Sequence, residues 1–277
     1  MLKRGRFKML ICPKCKEKLN TEGRTYTCVN QHCYDTAKSG YVNLLLANQM
    51  NSALPGDNKL MVQARKAFLD KGYYAPLAEA LCRAVSEYAS KGCKILDAGC
   101  GEGYYTEKIS AACPDAEIVG IDISKNAADY AARRTKAVKF AVGSVFHLPV
   151  ADGSCDVLTT LFAPYCGEEF QRVLKDNGIM VMVIPAERHL WQLKCAVYDE
   201  PYLNEVKDFA LDGFELLKRE TVTGEIDLPC NEDITALFSM TPYYYKTSAE
   251  GQQRLSEIDT LTTEIGFEVL VYKKNYF

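Results

Sequence analysis

The chain has 277 residues, 48% of them hydrophobic and 25% charged, with a formal net charge of −3. That length suits one α/β domain of ordinary size plus an appendage, and the apolar content supports a well-formed core, which excludes a disordered or fibrous chain. No run of about 18 apolar residues occurs and no signal peptide is read at the start, so the twelve cysteines are expected in the reducing cytoplasm, free or holding metal.

The charge is uneven. Residues 1–50 hold nine basic residues (Lys3, Arg4, Arg6, Lys8, Lys14, Lys16, Lys18, Arg24 and Lys38) against Glu17, Glu22 and Asp35, a local charge of +6 that leaves −9 for the rest. A basic head on an acidic body points to a polyanion meeting the head. Within it, Cys12-Pro13-Lys14-Cys15 is a CxxC knuckle, followed thirteen residues later by Cys28 and then by His32 and Cys33. This spacing reads as a tetrahedral structural zinc site in a segment too small to bury its own core. Cys12, Cys15 and Cys28 are three ligands, and either His32 or Cys33 is in reach as the fourth.

Residues 35–46 end in an apolar run able to pack the knuckle against something, and 48–59, with Pro55-Gly56, read as an exposed loop. Two helices are expected next, 60–71 after Asp57, and 74–90 with apolar positions Leu77, Leu81, Ala84, Val85 and Tyr88. A short strand, Lys94 to Leu96, then runs into Asp97-Ala98-Gly99-Cys100-Gly101-Glu102-Gly103, and a helix follows from Tyr104 to Ala112. A strand, a tight glycine loop and a helix let backbone approach a ligand closely. The run Ile118 to Asp122 ends in a second acid at the distance from Gly103 where such folds bind ribose hydroxyls.

The Asp-x-Gly-x-Gly-x-Gly string resembles the first cofactor loop of class I S-adenosylmethionine-dependent methyltransferases. Together with CPKC, CVNQH, KSGYVNLL, PGD and QARKAFLDKGYYAPL in the same order, it resembles the bacterial 23S rRNA (guanine-N1)-methyltransferases over essentially the whole chain. The resemblance implies a zinc-ribbon head over 1–46, a linker and helix over 47–73 and a methyltransferase body over 74–277, a Rossmann-like sheet with helices on both faces. It puts the zinc ligands on Cys12, Cys15, Cys28 and His32, and adds Tyr74 and His189 to the cofactor site. The loop and its neighbours contribute Asp97, Gly99, Gly101, Glu102, Gly103, Asp122, Ile123, Ser144 and Val145.

Downstream, a helix is expected over 125–134 and strands over 139–142 and 155–162, the last ending at Ala163-Pro164-Tyr165, which should border the methyl-transfer site. A helix over 168–174, a turn at Asp176-Asn177-Gly178 and a strand over 179–184 follow, with His147 read as a surface loop residue. Trp191 reads as packing. Later come a strand over 215–228, a helix capped by Asn231, Tyr243-Tyr244-Tyr245 as either base-stacking or core residues, and a closing strand over 264–274. The implied activity is methylation of guanine N1 in a 23S rRNA hairpin, with S-adenosylmethionine as cofactor and a homodimer as one arrangement that would suit it. No residue is assigned as the general base. Two other readings keep parts of this: the same body with a small-molecule substrate, and an RNA-binding ribbon on a body without catalysis.

Overall fold

A computed structural model of the protein describes residues 9–50, 55–205 and 208–275. Lys3, Arg4, Arg6 and Lys8 of the basic head, and 51–54 of the expected loop, lie outside the described residues. The head is a three-stranded antiparallel sheet, β1 (Asn20–Glu22), β2 (Thr25–Thr27) and β3 (Cys33–Asp35). Next come β4 (Val42–Asn43), α1 (Lys59–Asp70) and α2 (Ala75–Ser86). Asn58, rather than Asp57, caps α1: its side-chain oxygen accepts from the backbone of Leu60 at 2.9 Å and Met61 at 3.0 Å, a cap worth about 1 kcal/mol.

Helices then alternate with strands: β5 (Lys94–Ala98), α3 (Tyr104–Ala112), β6 (Glu117–Asp122), α4 (Lys125–Arg134), β7 (Lys139–Val142), β8 (Cys155–Leu161), α5 (Gly167–Val173) and β9 (Leu174–Pro185). The chain closes with α6 (Trp191–Val197), β10 (Phe214–Leu228), α7 (Asn231–Ser239), α8 (Ala249–Ser256) and β11 (Leu261–Lys274). The large sheet runs β10-β11-β9-β8-β5-β6-β7-β4, and only the β11 pairings with β9 and β10 are antiparallel. Strand order reverses between β5 and β8, which opens a crevice at their carboxyl ends where ligands of such sheets bind. Successive β5 residues face opposite sides: Ile95 joins a core with Leu77, Leu81, Val157 and Phe267, and Leu96 a second core with Leu158, Met180 and Phe170.

The expected turn at 176–178 is absorbed into β9. Leu174 pairs with Cys155 and Ile179 with Val157, so residues 175–178 bulge from a continuous strand, with Asn177 at φ +59°. Asn231 does not cap α7. It is the first helical residue, and its amide donates to the carbonyls of Leu255 at 2.9 Å and Ile258 at 2.8 Å, fastening the end of α8.

The head is joined to the body through backbone. Strand β4 extends the large sheet by pairing parallel with β7, Leu10 bridges Val150, and Ile11 N–H donates to Pro149 O at 2.9 Å. Met9, Leu10 and Leu44 are buried in the second core, each burial worth roughly 2 kcal/mol. Among the described residues no helix is long and apolar enough to cross a membrane.

Candidate metal and cofactor sites

Ligand atoms of Cys12, Cys15, Cys28 and His32 all lie within 4.8 Å of one another. The His32 Nδ1 atom is 3.4 Å from both Cys12 Sγ and Cys28 Sγ, and Cys15 Sγ is 3.6 Å from Cys28 Sγ. A tetrahedron with Zn–S bonds of about 2.3 Å has edges of about 3.8 Å, so the donor set fits zinc in size and chemistry. Two matching turns build it, each containing a left-handed residue: Lys16 (φ +63°) after the first knuckle and Gln31 (φ +63°) in the second. Cys33 is exposed and its sulfur is 3.4 Å from Gln31 O, outside the cluster. Lys14, Lys16, Lys18, Arg24 and Lys38 of the head are all exposed, the first three beside the first knuckle in sequence.

At the crevice, Gly99 (φ +86°) turns the chain directly under the 162–165 segment: a Cβ there would stand 2.4 Å from that of Ala163. Gly101 (φ +55°) faces open space, and the one atom near an added Cβ is Arg65 Nη1, at 3.6 Å. Asp122 accepts through one oxygen from Gly101 N–H at 2.9 Å and through the other from Ser124 N–H at 2.8 Å. Burial raises its pKa and these two backbone donors oppose the rise. Each oxygen keeps a lone pair for a ligand hydroxyl.

Asp97 and Glu102 are read from the sequence as cofactor contacts, yet both turn into the protein. The Asp97 carboxylate accepts from Thr106 Oγ1 at 2.5 Å and Thr159 Oγ1 at 2.9 Å, and burial lifts its pKa to about 6. Glu102 pairs with Arg134 at 2.6 Å. They shape the loop around the site. Beyond Asp122, Ile123 is half-buried beneath Gly56, and Ser124 Oγ donates to Asp57 O at 2.6 Å, so residues 55–58 roof this side. Ser144 and Val145 are buried, and Ser144 Oγ accepts from Phe146 N–H at 3.2 Å. His147 is exposed.

His189 packs against Phe267 (centroids 4.7 Å apart) and Tyr74 (6.0 Å). Burial, aided by the nearby Lys194 charge, lowers its pKa to about 3. Its Nδ1 accepts from Gly266 N–H at 3.3 Å, which leaves the ring proton on Nε2. The Tyr74 and Tyr105 hydroxyls are buried without a partner among the described residues. Buried donors of this kind call for an acceptor. With the open backbone at Gly101 and the Asp122 oxygens, they fit a cofactor bearing both a ribose and a polar tail.

Three residues escape a reading of the sequence. Arg65 reaches Gly101 from α1, Tyr105 sits in the first turn of α3, and Phe162 directly follows β8. Phe162 takes φ +54° with its side chain 47% exposed, 5.8 Å from Phe267. The hint for Phe162 is its place at the end of an apolar run and for Tyr105 its place two residues past Gly103; for Arg65 the link to the loop is tertiary.

A family model described as a methyltransferase domain matches residues 89–240, and one described as "RlmA, N-terminal" matches 10–53. The chain is 35% identical over 195 residues to a 23S rRNA (guanine(748)-N(1))-methyltransferase of Streptomyces fradiae, covering 69% of each protein. The chain belongs to the 23S rRNA (guanine-N1)-methyltransferase family. A Bacillus subtilis protein named for the same activity is 26% identical over 280 residues, 97% of this chain and 98% of its own, so head and body match in one continuous alignment. The methyltransferase solved in complex with the Trm112 activator of Haloferax volcanii shares the fold, with a TM-score of 0.51 at 16% identity over 77% of this chain and 94% of its own.

Proposed function

We propose that the protein transfers a methyl group from S-adenosylmethionine to N1 of a guanine in a 23S rRNA hairpin, in the cytoplasm where ribosomes assemble. The observation that carries this reading is the coupling of a Cys3His knuckle, beside the exposed Lys14, Lys16 and Lys18, to a methyltransferase sheet with an open cofactor crevice. Zinc, held by Cys12, Cys15, Cys28 and His32, serves as a structural ion, because four protein ligands leave no open position. Asp122 takes the ribose hydroxyls, and Ile123, Ser144 and Val145 flank the adenine.

When bound, the cofactor supplies an electrophilic sulfonium methyl. What this chain does is position and dehydrate, which can account for much of such a rate. The guanine enters at the carboxyl end of β8, stacked on Phe162, whose left-handed backbone is a cost that functional sites retain. Guanine N1 must lose its proton. His189, neutral with its proton on Nε2, is equipped to donate rather than accept; backbone carbonyls of 162–165 would accept a hydrogen bond from N1–H, and the proton itself would pass to solvent water or a loop carboxylate. Two copies gripping one hairpin would double the basic surface, which sedimentation with and without RNA would reveal.

The test is transfer of labelled methyl into unmodified 23S rRNA, with the product mapped by primer extension. N1-methylguanine blocks pairing, so a stop at one hairpin guanine is expected. Absence of incorporation by protein that binds the cofactor would overturn the RNA reading in favour of a small-molecule acceptor.

A further inference from the structure

No step of methyl transfer uses Tyr243-Tyr244-Tyr245, and the fold divides the three rings between inside and outside. They form a short 3₁₀ turn, Pro242–Tyr245, opened by Thr241, whose hydroxyl oxygen accepts from Tyr243 N–H at 3.3 Å. Tyr243 is buried, its ring 6.1 Å from that of Tyr198 and 5.4 Å from the Lys194 ammonium. Tyr244 and Tyr245 turn outward. Tyr245 is 67% exposed, yet its hydroxyl is tied at the tip, donating to Met61 Sδ of α1 at 2.9 Å. The two outer rings stand at 84° with centroids 5.3 Å apart, so they make a corner. Phe238 of α7 lies 5.8 Å from Tyr244, and Arg65 Nη2 donates to Met240 O at 3.2 Å, which fixes the turn on α1. Beside Met61, Leu60 is 74% exposed.

Clustered apolar surface left open to water marks a place where something docks, and the charges around it say what. Lys59 directly precedes Leu60 and Lys246 directly follows Tyr245; both are exposed, and neither pairs with an acid among the described residues. The acids along α1 are already taken: Asp57 by Arg65, Asp70 by Lys66 and Arg134, and Asp233 of α7 by Lys71. Flat rings with free cations beside them suit an unpaired nucleotide, whose base offers a π-face and whose backbone is anionic. The corner also lies between head and crevice along the chain. The segment that enters α1 leads from the zinc knuckle, and one turn beyond Met61 the side chain of Arg65 reaches Gly101 at the cofactor loop.

We propose that Tyr244 and Tyr245 hold an unpaired base of the rRNA hairpin loop, a neighbour of the target guanine, stacked on Tyr245 with its edge against Tyr244, while Lys59 and Lys246 take the flanking phosphates. This rests on the reading of the protein as an rRNA methyltransferase. It gives the acidic body an RNA contact of its own, one that depends on stacking where the head depends on charge. Every base has a π-face, so the corner grips the loop and fixes its position without reading its sequence.

Filter binding of the 23S rRNA hairpin to the full-length zinc-loaded protein, over a range of salt, tests the corner. Tyr245→Ala should weaken binding about 5- to 100-fold, the worth of one stacked base, with the slope of log affinity against log salt unchanged. Tyr245→Phe and Tyr245→Trp should bind as wild type does, because both keep a flat ring. Replacing Lys59 and Lys246 together by glutamine should instead lower the slope by about 1.4, as two single-strand phosphate contacts require. S-Adenosylhomocysteine affinity should stay level in every variant. Tryptophan emission of Tyr245→Trp should be quenched as hairpin is added, with wild type, whose one tryptophan is Trp191, as the blank. Unchanged hairpin affinity in Tyr245→Ala, an equal loss in Tyr245→Phe, or unquenched emission from Tyr245→Trp would each overturn the corner. Parallel loss of hairpin and S-adenosylhomocysteine in Tyr245→Ala would overturn it by assigning the ring to the fold. Lost self-association in sedimentation with RNA affinity intact would overturn it by giving the rings to a second copy. Wild-type protein that does not bind the hairpin would instead overturn the rRNA reading on which the corner rests.

Discussion

Residues 9–46 gather four ligand atoms within 4.8 Å around three strands of three residues each, whereas the body buries two continuous apolar cores on the faces of an eight-stranded sheet. The head has little apolar surface of its own to bury, and the proposed zinc would supply the folding free energy that burial supplies in the body. Yet the two share a sheet, because β4 pairs with β7 and Met9, Leu10 and Leu44 are part of the body's core. Head and body are thus separate in what stabilises them and continuous in backbone. Breaking the head should spare the cofactor site, and breaking the cofactor site should spare RNA binding.

The strongest way to break that separation is to remove the metal. Cys28→Ser, or chelation, should lower rRNA methylation at least about 100-fold, since structural zinc supplies folding free energy of order 10 kcal/mol. Binding of S-adenosylhomocysteine should change less than about threefold, and its joint loss would show that the body depends on the knuckle. From the other side, Asp122→Ala should weaken S-adenosylhomocysteine about 100-fold through the lost charged hydrogen bonds. RNA affinity, measured by filter binding, should not move.

A third effect belongs to the body alone. Asp97 titrates at about 6 in the folded protein against an ordinary value of 3.8, so the folded state binds the extra proton between those values. Its contribution is fully present below about pH 4 and is lost as pH rises through 6, a change of roughly 3 kcal/mol. Urea unfolding of wild type and Asp97→Asn should differ by that slope, and parallel pH curves would show that the acid is not buried as described. Smaller still, Phe162→Ala should reduce methylation by about 10- to 100-fold, the worth of one base stack. Phe162→Tyr should restore it, while cofactor affinity stays level in both.

Much of this was legible in the residues. The CxxC spacing and the glycine loop rest on local chemistry, and the helices over 104–112 and 125–134 rest on periodicity, so a reading of the chain finds them. The join between head and body was not, because a two-residue strand such as β4 has no period to detect. Nor could the inward turn of Asp97 be foreseen, since Thr106 and Thr159 meet it only once α3 and β8 are packed. Cys33 and His32 are adjacent and both can bind zinc, so spacing alone does not choose between them; the turn through Gln31 directs one inward and the other to solvent.

The central claim is that the head grips RNA by charge while the body binds cofactor, and the most direct test leaves both folds intact. Lys14, Lys16 and Lys18 are exposed beside the knuckle and none is a metal ligand. With all three replaced by alanine, zinc content and S-adenosylhomocysteine affinity should match wild type. Affinity for the 23S rRNA hairpin should fall at least about tenfold, and the slope of log affinity against log salt should drop by about 2, as three lost phosphate contacts require. An unchanged affinity and an unchanged slope would contradict the account, and would move the RNA-binding surface away from the head.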